Sequence, residues 1–291
     1  GYAILTYHNI SDVSDLILPD PMTVDYASFK QQIDYISDKF SVISISEIVE
    51  RVTSKTKADK LYVGITFDDG ILNQYKLAAP LLENYGLPAT FFITTNYADQ
   101  IEIPFLEKCK YWVQVSNKKV ELEYNDKYHG LYDLSNKIEK NNFYKKMLTI
   151  LSNYSNEGEK FVEYLHSIFF DIKIPRIYMT WEEIRNLNQT SNFTIGAHSV
   201  THAKLKNVQN VLETEVVKSK DILENKMNVT CNYFAYPFGM PSDVNNYLFS
   251  LMESSGYDAA FTSIMGLNKK YDSNYQLERI APIGNENISQ F

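Results

Sequence analysis

A chain of 291 residues that is 44% hydrophobic and 22% charged has the composition of an ordinary globular protein with a sizeable core. Its formal charge of −8, with Lys and Arg scattered along the chain, leaves no basic stripe and excludes nucleic acid as the expected partner. No run approaches the ~18 apolar residues of a membrane span, and Cys109 and Cys231 are too few for a disulfide framework and match no zinc-ribbon spacing.

Apolar runs alternate with amphipathic stretches from the start. "YAILTYH" predicts a strand over 2–8, "DYASFKQQIDYISDKF" a helix over 25–40, "SVISIS" a strand over 41–46 and "EIVERVTSK" a helix over 47–55. "LYVGITF" (61–67) reads as a strand, "QYKLAAPLLENYG" (74–86) as a helix closed by Gly86, and "PATFFITT" (88–95) as another strand. Strand, helix, strand in this rhythm implies parallel pairing with right-handed crossovers, and such sheets and barrels collect ligands at the carboxyl ends of their strands.

From about 99 to 177 the rhythm lapses. The stretch is rich in Asn, Lys, Tyr and Glu, offers few buried-strand candidates, and carries helical-looking pieces at "NNFYKKMLTILSNY" and "EKFVEYLHSIFF". Apolar positions still recur at helical spacing, so the expectation is a mostly helical insertion. The rhythm resumes with "TWEEIRNL" (helix), "FTIGAHS" (strand), "VLETEVVKSKDILENKM" (helix), "CNYFAYPFG" (strand), "NNYLFSLMESSG" (helix), "DAAFTS" (strand) and "LERIAPI" (strand). The whole reads as one catalytic domain, 1–291, interrupted by that insertion. The chain begins at Gly1 inside a strand-like run with no charged-then-apolar segment ahead of it. The expected location is extracellular or cell-envelope if a leader has been removed and cytoplasmic otherwise; oligomeric state is left open.

Two stretches hold residues suited to chemistry. "ITFDDG" at 65–70 sets Asp68 and Asp69 side by side after an apolar strand and before Gly70. Side chains alternate along an extended chain, so adjacent carboxylates there point in different directions and can do different jobs. The same residues also suit an N-cap and a turn. "AHSVTH" at 197–202 places His198 and His202 at a spacing that puts two imidazoles on one face of a helical turn, within reach of one metal ion. Alone, the pair equally fits two unrelated surface or capping histidines. A carboxylate from one strand end with two histidines from another, and an open coordination position, is how a catalytic zinc site is usually built. A bound divalent ion lowers the pKa of its water from about 15.7 to roughly 7. One Asp can then ligate the ion while its neighbour accepts the proton of the attacking water.

"TFDDG" at 66–70, "HSVTH" at 198–202 and "FAYPFG" at 234–239 resemble, in order, the first three motifs of the polysaccharide deacetylase family, carbohydrate esterase family 4. "PATFFI", "MTWEEIRNL" and "SGYDAAFT" resemble its connecting segments, so the likeness spans about residues 1–98 and 178–284. The resemblance implies an α/β fold, a distorted (β/α) barrel with fewer than eight strands. It makes Asp68 the general base and Asp69, His198 and His202 the ligands of a divalent metal, usually Zn2+. Pro237 and Phe238 fall on the groove wall, with the Phe238 N–H helping to hold the oxyanion, and Tyr236 joins them as an aromatic candidate for sugar contact. The implied reaction is hydrolysis of an N-acetyl group on an amino sugar, so the expected partner is an N-acetylated glycan.

Two departures from the family pattern matter. Ala235 and Tyr236 stand where an Arg usually precedes the Pro of the third motif, and "LERIAPIG" lacks the Leu-x-His element that supplies the general acid. A leaving amine needs a proton. "LTYH" offers His8 at the end of the first strand, and in a barrel the first and last strands are neighbours. The "YHNI" opening, with "AYPFG" and "ERI" later, resembles the subgroup that de-N-acetylates poly-β-1,6-N-acetylglucosamine and related exopolysaccharides, whose motifs are circularly rearranged. That likeness implies His8 as the acid and Arg279 as the partner orienting Asp68. The alternatives are a deacylase or deformylase of a surface-glycan intermediate and a barrel that binds glycan without turnover; the intact Asp68, Asp69, His198 and His202 argue against the last.

Overall fold

The computed structural model describes residues 1–12, 22–125, 128–152, 156–269 and 273–282. Ile283, the last residue of the expected final strand, and Asn153 and Tyr154 of an expected helix lie outside them. The chain runs β1 (Tyr2–Tyr7), β2 (Asn9–Ser11), β3 (Thr23–Asp25), α1 (Tyr26–Lys39), β4 (Ser41–Val42), α2 (Ile45–Thr53), β5 (Tyr62–Phe67), α3 (Ala79–Asn84) and β6 (Ala89–Ile93). It continues with α4 (Phe105–Val115), β7 (Lys119–Asn125), β8 (Tyr128–Asp133), α5 (Lys137–Ser152) and α6 (Asn156–Ile168). Then come α7 (Trp181–Gln189), β9 (Phe193–Ala197), α8 (Lys218–Met227), β10 (Tyr233–Ala235), α9 (Asn246–Ser254) and β11 (Ala259–Phe261). The described residues divide into two compact units, one from 1–12, 22–102 and 177 onward, the other Ile103–Arg176.

The larger unit is built on a parallel sheet in the order β1-β5-β6-β9-β10-β11, with β4 beside the start of β5. Its two outer strands meet a common neighbour. Leu277 bridges Phe261 of β11 and Ile280 bridges Leu5 of β1, both in parallel, which curls the sheet into a barrel-like α/β fold. Over its described residues, 277–282, the predicted strand is thus reduced to two bridges, because its backbone bonds β11 at one end and β1 at the other.

Burial on both faces explains why β1 and β5 read as unbroken apolar runs. Ala3, Leu5 and Tyr7, Val63, Ile65 and Phe67, and Phe193, Ile195 and Ala197 face the layer packed under the helices. Tyr2 and Ile4, Tyr62, Phe92, Tyr233 and Phe261 face the inside, where Ile45, Ile48, Val49 and Val52 of α2 complete a second core. The period of two then decides the site: His8, Asp68 and His198, each one residue past its strand, continue the inward rows. "SVISIS" departs from its predicted strand because the Ser44 side chain accepts the Glu47 N–H and starts α2.

The smaller unit has its own core, in which Trp112, Phe143, Phe161 and Phe169 are buried. Among the described residues its regular elements are helices and the antiparallel β7–β8 hairpin, which the sequence reading did not anticipate.

Candidate metal centre and active site

The adjacent acids are separated by a sharp change of backbone. Asp68 N–H still donates to the Tyr7 carbonyl at 3.0 Å, so Asp68 extends the ladder of β5 and points inward. Asp69 and Gly70 then take φ of 77° and 79°. A side chain in that left-handed region costs on the order of 1–3 kcal/mol and persists where surrounding structure over-determines it; Gly70 has no side chain to strain. The turn aims Asp69 at the histidines and leaves Asp68 behind it.

His198 and His202 do meet, but the predicted helical turn is absent. Residues 198–202 form a loop in which Ser199 (φ 63°) and His202 (φ 59°) are both left-handed, and the ring centroids lie 4.9 Å apart. His198 Nδ1 is 2.8 Å from the Ala235 carbonyl, which fixes the proton there and turns Nε2 toward Asp69. Burial, only partly opposed by Asp69, lowers the pKa of His202 to about 4, so this imidazole is neutral at pH 7.

These groups fit a divalent cation. Asp69 Oδ1 is buried without a hydrogen-bond partner among the described residues, yet it faces His198 Nε2 at 3.4 Å and His202 Nε2 at 3.3 Å. With its Nδ1 proton on the Ala235 carbonyl, the neutral His198 ring presents a bare Nε2 to the Asp69 carboxylate. Burial lowers the His198 pKa, but Asp68 and Asp69 outweigh it and raise it, so the two acids draw positive charge to this point. Ligand atoms about 2.0–2.1 Å from a tetrahedral ion stand about 3.3 Å apart, matching both separations. Asp69, His198 and His202 form the group of potential ligands that the described residues assemble.

Asp68 has a different partner. Arg279 Nη1 donates to Oδ1 and Nη2 to Oδ2, both at 2.7 Å, while Arg279 Nε donates to the Thr262 carbonyl at 2.8 Å. Burial pulls the Asp68 pKa upward, but the Arg279 charge, then His198, outweigh it and hold the carboxyl below its ordinary value. His8 Nε2 stands 3.9 Å from Asp68 Oδ2, close but beyond a hydrogen bond.

The third motif divides. Tyr236 is a correction: at 1% exposure it is core, its ring packed on Phe234 and Phe249 and its hydroxyl bound to the Tyr275 carbonyl, so no sugar can stack on it. Pro237 is buried. Phe238 is 45% exposed, its ring centroid 4.9 Å from that of His202, and among the described residues its N–H has no backbone acceptor. Phe238 and Gly239 both take φ of 62°. A Cβ on Gly239 would lie 2.7 Å from Ser263 N, so this turn requires glycine.

A family model described as polysaccharide deacetylase matches residues 55–260. The chain belongs to the polysaccharide deacetylase family. Among its members, YxkH of Bacillus subtilis (strain 168), named as a polysaccharide deacetylase, is 32% identical over 91 residues, 31% of this chain and 30% of that protein. The matched stretch thus spans less than a third of that relative. The fold is similar to that of the Streptococcus pyogenes deacetylase PplD in complex with acetate, with TM-score 0.65 and 18% identity over 97% of this chain and 92% of that one. IcaB from Ammonifex degensii gives TM-score 0.61 and 16% identity over 97% and 91%. The deacetylase domain of BpsB from Bordetella bronchiseptica gives 0.59 and 14% over 96% and 95%. These likenesses establish the polysaccharide deacetylase fold.

Two residues around the site of this member of the polysaccharide deacetylase family escaped the sequence reading. Gln74 is fully buried, and its amide donates both to the His8 carbonyl at 2.9 Å and to the Asp68 carbonyl, tying the ends of β1 and β5 together. Glu215 is bound to the loop between the two histidines. Both sit on π-helical turns, Gln74–Ala78 and Leu212–Val217, which shift side chains off the face that a 3.6-residue period assigns.

Proposed function

We propose that this chain is a metal-dependent hydrolase that removes N-acetyl groups from an amino-sugar polysaccharide or oligosaccharide and releases acetate. The observation carrying the reading is Asp69 Oδ1, without a hydrogen-bond partner among the described residues and held 3.3–3.4 Å from two imidazole nitrogens, with a second carboxylate gripped by Arg279 next to it in sequence. Two nitrogens and one carboxylate oxygen are a donor set suited to Zn2+. When bound, the ion supplies Lewis-acid polarisation and a more acidic water.

The residues of the chain divide the remaining work. Asp68, kept ionised by Arg279, accepts a proton from the attacking water as general base. Arg279 is a positioning residue, since its bidentate grip fixes both the charge and the direction of the carboxylate. The Phe238 N–H, without a backbone acceptor among the described residues, donates to the oxyanion as the acyl carbon becomes tetrahedral. His8, on the inward row next to Asp68, supplies the proton that lets the amine leave. The substrate class proposed is a β-1,6-linked N-acetylglucosamine polymer, on the resemblance of "YHNI", "AYPFG" and "ERI" to that subgroup.

Acetate and free amine measured on N-acetylglucosamine oligomers of different linkage, alongside N-formyl counterparts, test this directly. The expected result is acetate equal to amine formed, with the highest kcat/KM on the β-1,6 series. Release of formate alone, or of no acyl group from any oligomer, would contradict it.

A further inference from the structure

His198 and His202 are held in different ways. The ring of His198 is fixed directly, through Nδ1 and the Ala235 carbonyl. The ring of His202 packs on Tyr97 and Phe238 and takes its aim from the backbone that carries it. That backbone is the loop with two left-handed residues, Ser199 and His202, a conformation that lasts only if its surroundings impose it.

The loop is restrained on two sides. From the residues after β6, Thr95 N–H donates to the Ser199 carbonyl at 3.2 Å and Asn96 N–H to the Val200 carbonyl at 3.0 Å. From the opposite partner, Glu215, come three bonds. Its Oε2 accepts the N–H groups of Val200 and Thr201, each at 2.9 Å, and its Oε1 accepts the Thr201 hydroxyl at 2.7 Å. Glu215 is 5% exposed, so these bonds form away from competing water. A carboxylate taking adjacent backbone N–H groups makes short, charge-assisted bonds with fixed geometry. A further restraint, the His202 N–H donating to Ser199 Oγ at 3.0 Å, is internal to the loop and holds its shape without holding its place.

We infer that Glu215 is a positioning residue for the second imidazole, acting through the Val200–Thr201 backbone, and that it sets the affinity of the ion site. This rests on the ion-holding role given above to Asp69, His198 and His202. Groups that orient metal ligands typically change metal affinity by 10–100-fold when removed. A glutamate that only stabilised the fold would change the unfolding midpoint and leave the affinity of the folded protein alone.

The test is Zn2+ affinity by competition with a chromophoric chelator, at a temperature where circular dichroism shows each protein folded. Glu215→Ala is expected to bind Zn2+ about 10–100-fold more weakly than the parent, and the rise in unfolding midpoint on adding Zn2+ should shrink. Glu215→Gln keeps a carbonyl oxygen for both N–H groups and lets the Thr201 hydroxyl turn round, so its affinity should stay within a few-fold of the parent. Should Glu215→Ala not fold, Glu215→Asp, one methylene too short to hold Val200 and Thr201 together, is expected to show the weakened binding. A folded Glu215→Ala or Glu215→Asp with parental Zn2+ affinity would overturn the role of Glu215 while leaving the ion site standing. A parent chain that binds no Zn2+ would overturn the ion site and this inference with it.

Discussion

Arg279 holds Asp68 by two parallel hydrogen bonds across 211 residues of sequence, and both side chains are almost wholly buried. Removing one partner of such a pair leaves a buried unpaired charge, so Arg279→Met should destabilise the ion-free protein by about 3–5 kcal/mol at pH 7. The sign with pH follows from the two environments. In the parent the Asp68 pKa lies below its ordinary 3.8, so the pair stabilises above that value and its contribution is lost as pH falls through the folded pKa. In Arg279→Met burial is opposed only by the nearby histidines and the pKa rises, so the variant regains stability as pH falls and Asp68 protonates. Urea denaturation across pH 3.5–7 should show the gap between parent and variant widening toward neutrality. A gap that does not change with pH would contradict the pairing.

The two acids should separate on mutation. His198→Ala or His202→Ala is expected to lose bound ion and turnover together, since each removes a ligand atom. Asp68→Asn should keep the ion and lose about 10²–10⁴ in rate, the usual contribution of a general base. Metal analysis of each purified variant checks this, and loss of the ion from Asp68→Asn would exchange the roles of Asp68 and Asp69.

His8 faces a test by leaving group. His8→Ala should cripple hydrolysis of N-acetyl sugars, whose amine leaves poorly unless protonated, and largely spare an activated acetate ester. Equal losses on amide and ester with unchanged metal content would make His8 a residue that packs the end of β1.

The other two histidines belong to the smaller unit. His166 packs edge-on against Trp112 with ring centroids 4.9 Å apart, and burial lowers its pKa; His129 is exposed on β8. Alanine at both should leave turnover on a short soluble oligomer within a few-fold of the parent. A collapse of turnover in a folded double variant would bring the smaller unit into the chemistry.

His8, Asp68 and His198 were legible because strand ends are, whereas Asp69 and His202, aimed by left-handed backbone, are not reached by that period. A period of two along β1, β5 and β9 sends His8, Asp68 and His198 to one face whatever the helices do, so local pattern sufficed. Arg279 needed more, since its place depends on two bridges that close the sheet, and only the likeness of "ERI" pointed to it. Gln74 and Glu215 were hidden by π-helical turns, which break the helical period that a sequence reading assumes. Tyr236 misled because a motif position does not reveal which way a ring turns once the strand has ended. The β7–β8 hairpin left a signal that was passed over: Val120, Leu122 and Tyr124 join the core of the smaller unit while Lys119, Glu121 and Glu123 alternate with them.

Everything proposed for the site depends on a cation between Asp69, His198 and His202. The direct measurement is acetate release from a β-1,6-linked N-acetylglucosamine oligomer by protein stripped with chelator, then titrated with Zn2+. Release should be near background in the stripped protein and rise to a plateau at one ion per chain, with His202→Ala failing to recover at the same concentration. Full acetate release by protein shown by elemental analysis to hold no metal would contradict the account.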